Sequence, residues 1–127
     1  MNKISGICEE LMVLDHIAVI VSKEENLRFY EKLGFREKTR IVRRCDTVVF
    51  MECDEIVLEI FVDPKHPKRV DNPEQRGLRH IAFSVKDISK IDIPYEEIRD
   101  DWFGRKSVFI KDLDGQPIEL IELKGEI

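Results

Sequence analysis

The sequence predicts an α+β fold made of two βαβββ modules. Three observations predict it. His-Ile-Ala occurs twice, at His16-Ile17-Ala18 and His80-Ile81-Ala82, 64 residues apart. An apolar-Glu-apolar-apolar pattern also occurs twice, at Leu58-Glu59-Ile60-Phe61 and Ile118-Glu119-Leu120-Ile121, 60 residues apart. Both intervals are close to half of the 127-residue chain, and internal duplication explains them more simply than chance. Finally, most apolar runs are short, rich in β-branched residues and bounded by polar or turn residues, which marks strands.

The first module opens with Asp15 to Val21, an apolar, β-branched strand. Ser22 with Glu25 three residues later reads as a capping box. Leu27, Tyr30 and Leu33 then recur at helical spacing, and Gly34 suits a left-handed helix exit, so the helix is expected over Lys23 to Leu33. Phe35 to Arg44 is basic and reads as a solvent-facing strand. Thr47 to Glu52 and Ile56 to Val62 are apolar strands joined by a short hairpin at Cys53-Asp54-Glu55.

Asp63 to Arg79 breaks the pattern with Pro64, Pro67, Pro73 and Gly77. Proline there forbids a regular helix or a central strand. The expected organisation is one domain over 1–127: module one at about 14–62, a linker at 63–77, and module two at about 78–123. In module two, Leu78 to Val85 is a strand, and Asp87 caps a short helix through Ile91. Pro94 starts another turn through Ile98. Gly104 to Lys111 is a strand, Asp112-Leu113-Asp114-Gly115 a turn, and Pro117 to Leu123 the last strand. One further, poorly marked strand is expected near Trp102.

Composition excludes several function classes. The chain has 21 Lys and Arg against 26 Asp and Glu, a net charge of −5. A general nucleic-acid binder needs excess basic charge instead. No run approaches the ~18 apolar residues of a membrane span, and residues 1–14 lack a signal-peptide core. Cys8, Cys45 and Cys53 are odd in number and fit no CxxC spacing. They read as reduced thiols of a cytoplasmic protein rather than as a disulfide framework or a zinc–thiolate site.

Alternation along the strands assigns the faces. Ile17, Val19 and Val21 point one way, and so do Ile81, Phe83 and Val85. The histidines share the other face with small residues, Ala18, Ala82 and Ser84, which leaves room beside them. Glu59 and Glu119 sit inside runs that are apolar on both parities, where an unpaired carboxylate would cost several kcal/mol. Neither run contains Lys or Arg. One divalent metal would satisfy both, and two neutral imidazoles with two carboxylates around M²⁺ sum to zero charge. His16, Glu59, His80 and Glu119 are therefore the expected metal ligands. His66 lies in the proline-rich linker without such a pattern and reads as a solvent-facing loop residue.

The two His-Ile-Ala strands, the Phe29-Tyr30 to Leu33-Gly34-Phe35 helix end, and the Asp112 to Gly115 turn leading into Ile118-Glu119-Leu120 occur in this order and spacing. In these the chain resembles the vicinal oxygen chelate superfamily over about Leu14 to Leu123. The resemblance implies paired βαβββ modules forming a curved mixed sheet around a metal-binding cavity, the glyoxalase/bleomycin resistance/dioxygenase fold. It also implies that His16, Glu59, His80 and Glu119 occupy the ligand positions of glyoxalase I-like members. The dioxygenases and fosfomycin-resistance proteins of the family have no carboxylate at the position of Glu59, and methylmalonyl-CoA epimerases usually have Gln. Ile20 stands where glutathione-using bacterial glyoxalases typically have Arg, and Asp63 where they tend to have Asn. Both groups help hold glutathione, so the thiol of the substrate stays open.

The function that the resemblance implies is that of a metal-dependent lyase or isomerase of the lactoylglutathione lyase type. It would act on a small, hemithioacetal-like substrate with adjacent oxygens, through a metal-stabilised enediolate. Without a thiolate ligand, Ni²⁺, Zn²⁺, Co²⁺ or Mn²⁺ fits the site. Glu119 or Glu59 serves as the general base. Arg105 and Lys106 are candidates for attracting an anionic substrate. Two other readings compete. One is an Fe²⁺ dioxygenase using His16, His80 and Glu119; the other is a non-catalytic binding or resistance protein. The expected partner is a small molecule, with no nucleic acid or membrane, and the resemblance implies a homodimer. Whether the site closes within one chain or across two is left open.

Overall fold

A computed structural model of the chain describes residues 12–123; the N-terminal reading over residues 1–11, Cys8 included, lies outside the described residues. Module one comprises β1 (Ile17–Val21), α1 (Glu25–Lys32), β2 (Arg36–Val42), β3 (Thr47–Cys53) and β4 (Ile56–Val62). Module two comprises β5 (Ile81–Val85), a 3₁₀ turn (Ile88–Lys90), β6 (Arg99–Asp100), β7 (Lys106–Lys111) and β8 (Pro117–Glu122). The sheet orders are β1-β4-β3-β2 and β5-β8-β7-β6, so the two modules share one topology. In each, the opening and closing strands pair parallel and the remaining pairs are antiparallel. The paired modules expected from the sequence are present, each as its own four-stranded mixed sheet. No helix among the described residues is long and apolar enough to cross a membrane.

One core serves both sheets. Val19, Val21, Leu58, Ile60, Val49 and Met51 from the first sheet join Val108, Ile110, Ile118 and Leu120 from the second. Leu27, Phe29 and Tyr30 of α1 complete it. Each fully buried aliphatic side chain here contributes about 1.5–3 kcal/mol of transfer free energy. These are the residues of the strand parity opposite to the histidines.

The helix start differs from expectation. The Ser22–Glu25 capping box does not form: α1 begins at Glu25, and its N-cap, Glu24, has helical backbone angles and no side-chain cap bond. A carboxylate from module two takes that role. Asp114 Oδ2 accepts from the Ser22 N–H and the Asn26 Nδ2, both at 2.9 Å. An anion at a helix N-terminus is favoured by the helix dipole. Asn26 Oδ1 in turn accepts from the Leu113 N–H, and Tyr30 donates to Asp112 Oδ2. The Asp112–Asp114 turn thereby ties the second module to α1. At the helix exit Gly34 takes φ +109°, as the spacing predicts.

Module two departs from the sequence reading in three places. β5 starts at Ile81 rather than Leu78, which is exposed beyond Gly77 at φ +117°. No helical turn forms from Pro94 to Ile98; Asp87 caps only the 3₁₀ turn, accepting from the Ser89 N–H. The strand expected near Trp102 is β6, just before it, and Trp102 lies 97% exposed in the β6–β7 turn. The Asp101 carboxylate builds that turn, accepting from the Phe103 and Arg105 N–H groups.

Candidate metal centre

Strand register brings the repeated residues together in pairs. Ala18 of β1 is in register with Glu59 of β4, and His16 stands two residues before Ala18, just ahead of β1. Ala82 of β5 is in register with Glu119 of β8, and His80 stands just ahead of β5. Residues in register, and residues two apart on a strand, share a sheet face. Each histidine therefore reaches the glutamate of its own module: His16 Nε2 is 3.1 Å from Glu59 Oε1, and His80 Nε2 is 3.2 Å from Glu119 Oε1. Phe50 of β3 lies opposite Glu59, and Phe109 of β7 opposite Glu119. The His16 and Glu59 side chains are partly exposed, and His80 and Glu119 less so.

The geometry suits a metal in part. Two ligands at about 2.0–2.2 Å from one ion lie roughly 3.0–3.5 Å apart, and both nitrogen–oxygen separations fall in that range. Imidazole and carboxylate without thiolate select borderline or hard divalent ions. Yet among the described residues no group of three or more His, Cys, Asp or Glu side chains gathers to hold an ion. One chain thus presents two separate two-donor sets, one per sheet.

The two pairs differ in their surroundings. His16 Nδ1 is 2.7 Å from Asp15 Oδ1. Hydrogen bonding to Asp15, with Glu59 adding its charge, raises the His16 pKa above its ordinary value against the opposing effect of desolvation. The His80 ring instead meets Phe109 edge to face at 5.0 Å between centroids. Its Nδ1 is buried and has no hydrogen-bond partner among the described residues. Glu119 Oε2 accepts a 2.6 Å hydrogen bond from Ser107 Oγ.

The two residues expected to attract an anionic substrate, Arg105 and Lys106, and two other basic residues, His66 and Arg43, are engaged elsewhere. Arg105 Nε donates to Asp101 Oδ2 at 2.7 Å, and the guanidinium lies 5.5 Å from the Phe103 ring centroid. Lys106 sits one residue from Ser107, so its side chain points to the face opposite Glu119; its Nζ is 4.0 Å from Glu122. His66 Nδ1 is 3.3 Å from Asp63 in the linker. Arg43 forms a two-pronged ion pair with Asp46 at 2.7 Å and lies over the Phe61 ring.

Sequence reasoning did not single out Ser107, Asp15 or Phe109. A signal for Ser107 exists: folding β7 back on β8 through the Asp112–Gly115 turn puts Phe109 opposite Glu119 and Ser107 two residues further on the same face.

Comparison with known proteins gives a consistent result. The family model of the Glyoxalase/Bleomycin resistance protein/Dioxygenase superfamily matches residues 13–91. The chain is 41% identical to the uncharacterized protein YaeR of Escherichia coli K12, over 88% of this chain and 97% of that one. It is 36% identical to the uncharacterized protein YwkD of Bacillus subtilis 168, over 88% and 98%. The crystal structure of a glyoxalase family protein from Enterococcus faecalis superposes with a TM-score of 0.79 at 33% identity, covering 89% of this chain and 99% of that chain. A lactoylglutathione lyase from Agrobacterium tumefaciens (TM-score 0.60, 24% identity) and a bleomycin-binding protein (TM-score 0.61, 15% identity) share the fold alone.

Proposed function

The chain belongs to the glyoxalase/bleomycin resistance protein/dioxygenase superfamily, and on that premise we propose that it is a metal-dependent lyase or isomerase of the glyoxalase I type. Its substrate is a small molecule with adjacent oxygens, such as a hemithioacetal. The observation that carries this reading is the pair of congruent His–Glu sets at 3.1 and 3.2 Å on two separate sheets. Each supplies two donors, and catalytic metal sites generally use three or four protein ligands. A second copy of the chain, related by a two-fold axis, would set the His16–Glu59 pair of one copy against the His80–Glu119 pair of the other.

When bound, a divalent ion supplies Lewis acidity toward a substrate oxygen. The remaining work falls to the chain. His16 is held through its second nitrogen by Asp15, and His80 through its ring, edge to face against Phe109. A glutamate carboxylate takes the proton from the carbon beside the carbonyl and returns it to the neighbouring carbon. The proton is conserved, and the net change is an isomerisation. Ala18, Ala82 and Ser84 keep the approach to both pairs open.

A second reading, binding without turnover, draws on exposed apolar side chains of the same faces, Ile20 and Phe109. They would suit an apolar ligand.

Complementation tests the shared site. His16→Ala and His80→Ala are each expected to abolish metal retention and turnover of methylglyoxal with a panel of thiols. Mixed and re-assembled, they should regain roughly a quarter of wild-type metal sites, since each mixed two-fold dimer keeps one intact set. No recovery, with either variant dimeric and folded, overturns the shared arrangement. Full metal loading of wild type without turnover on any thiol favours the binding reading.

A further inference from the structure

The two half-sites are matched in strand register and differ at a buried position on the strand beside each glutamate. In module one, Phe50 pairs with Glu59 and Val48 with Phe61. In module two, Phe109 pairs with Glu119 and Ser107 with Ile121. Ser107 therefore occupies the place that Val48 holds in the first module. Both side chains are buried, at 5% and 4% exposure. Only the serine has a hydroxyl, and it donates to Glu119 Oε2 at 2.6 Å. That is the short distance of a hydrogen bond to an ionised acceptor. Glu119 Oε1 is left facing His80. Glu59 has only His16 within ion-pair distance among the described residues, and an isopropyl group beside it where the hydroxyl would be.

We infer that Ser107 is a positioning residue that anchors Glu119 and so makes the two glutamates unequal as metal ligands. Glu119, held at one oxygen by Ser107, is the fixed ligand. Glu59 has no such tether, with Val48 in the matching place. A buried serine hydroxyl without a partner would cost about 1–3 kcal/mol, so Ser107 and Glu119 hold each other in place. The inference rests on the metal-dependent reading above, and it chooses between two carboxylates that the repeat alone leaves equivalent.

The test is metal titration of the full-length protein, stripped and then supplied with Ni²⁺ or Zn²⁺ alone, followed by calorimetry. Ser107→Ala is expected to weaken metal affinity about tenfold to 100-fold, the usual effect of losing a group that orients a ligand. Its metal-free thermal midpoint should fall by only a few degrees, the cost of one lost hydrogen bond, and Ser107→Thr, which keeps the hydroxyl, should restore affinity. Glu119→Gln should lose more affinity than Glu59→Gln, a comparison that stands even where Ser107→Ala does not fold. Metal binding by Ser107→Ala within twofold of wild type, or equal losses for the two glutamine variants, overturns the inference and leaves the metal-dependent reading intact. Absence of metal binding by wild type overturns both.

Discussion

The Tyr30 hydroxyl donates a 2.7 Å hydrogen bond to Asp112 Oδ2 across 82 residues of chain, joining α1 of the first module to the turn before the last strand of the second. Both residues are buried, Tyr30 completely. Asp112 uses its other oxygen for the Asp114 and Gln116 N–H groups. The pair is thus part of a satisfied polar joint inside an otherwise apolar seam.

Tyr30→Phe removes the donor and leaves a buried carboxylate oxygen unpaired. The expected loss is about 1–3 kcal/mol, read as a lower midpoint in urea with an unchanged slope. A midpoint equal to wild type would mean that the hydroxyl contributes nothing to the joint.

The same residue predicts alkaline sensitivity. Burial first, then the Asp112 charge and hydrogen bond, hold the Tyr30 phenol well above its ordinary value of 10.0. Above pH ~10 the unfolded chain releases this proton while the folded chain keeps it, so the unfolded state binds fewer protons and stability falls as pH rises. The contribution is complete below pH ~10 and declines above it by about 1.4 kcal/mol per pH unit. Tyr30→Phe should flatten that slope between about pH 10 and 11.5.

Asp15→Asn should lower the His16 titration midpoint in the metal-free protein. The Asp15 hydrogen bond is the largest contribution raising it. Proton NMR of the imidazole C–H signals follows the shift directly; a midpoint that stays or rises contradicts the contact.

Gly34→Ala should destabilise by about 1–2 kcal/mol. Its φ of +109° disfavours any side chain, and an added Cβ would come within 3.4 Å of Cys53 Sγ. Thermal unfolding in reducing buffer measures it.

The strand and site pattern was legible where local periodicity decides it. His16 and Glu59, and likewise His80 and Glu119, meet because a two-residue period fixes which side chains share a face, and the repeat fixes which strands correspond. What was illegible depends on residues distant in sequence. Ser22 and Glu25 satisfy the capping pattern, yet Asp114 arrives from 92 residues away and supplies the acceptor instead. Pro94 permits a helical turn through Ile98, but nothing local obliges one, and the chain runs irregularly into β6. Arg105 reads as a free cation because Asp101, which engages it, carries no signal of its own in the sequence. The separation of the two donor pairs could not be read at all, since it depends on how one sheet lies against the other.

The joint at Asp112–Asp114 also makes α1 a reporter on the distant half of the chain. The Ser22 amide and the Asn26 side chain at the start of the helix are hydrogen-bonded to Asp114. The Ser22 amide can resist solvent deuterium only while the β7–β8 turn is docked. Its exchange rate measures the undocking of module two directly, without a probe placed there. A chain whose β7–β8 hairpin opens on its own would betray that motion first at residue 22.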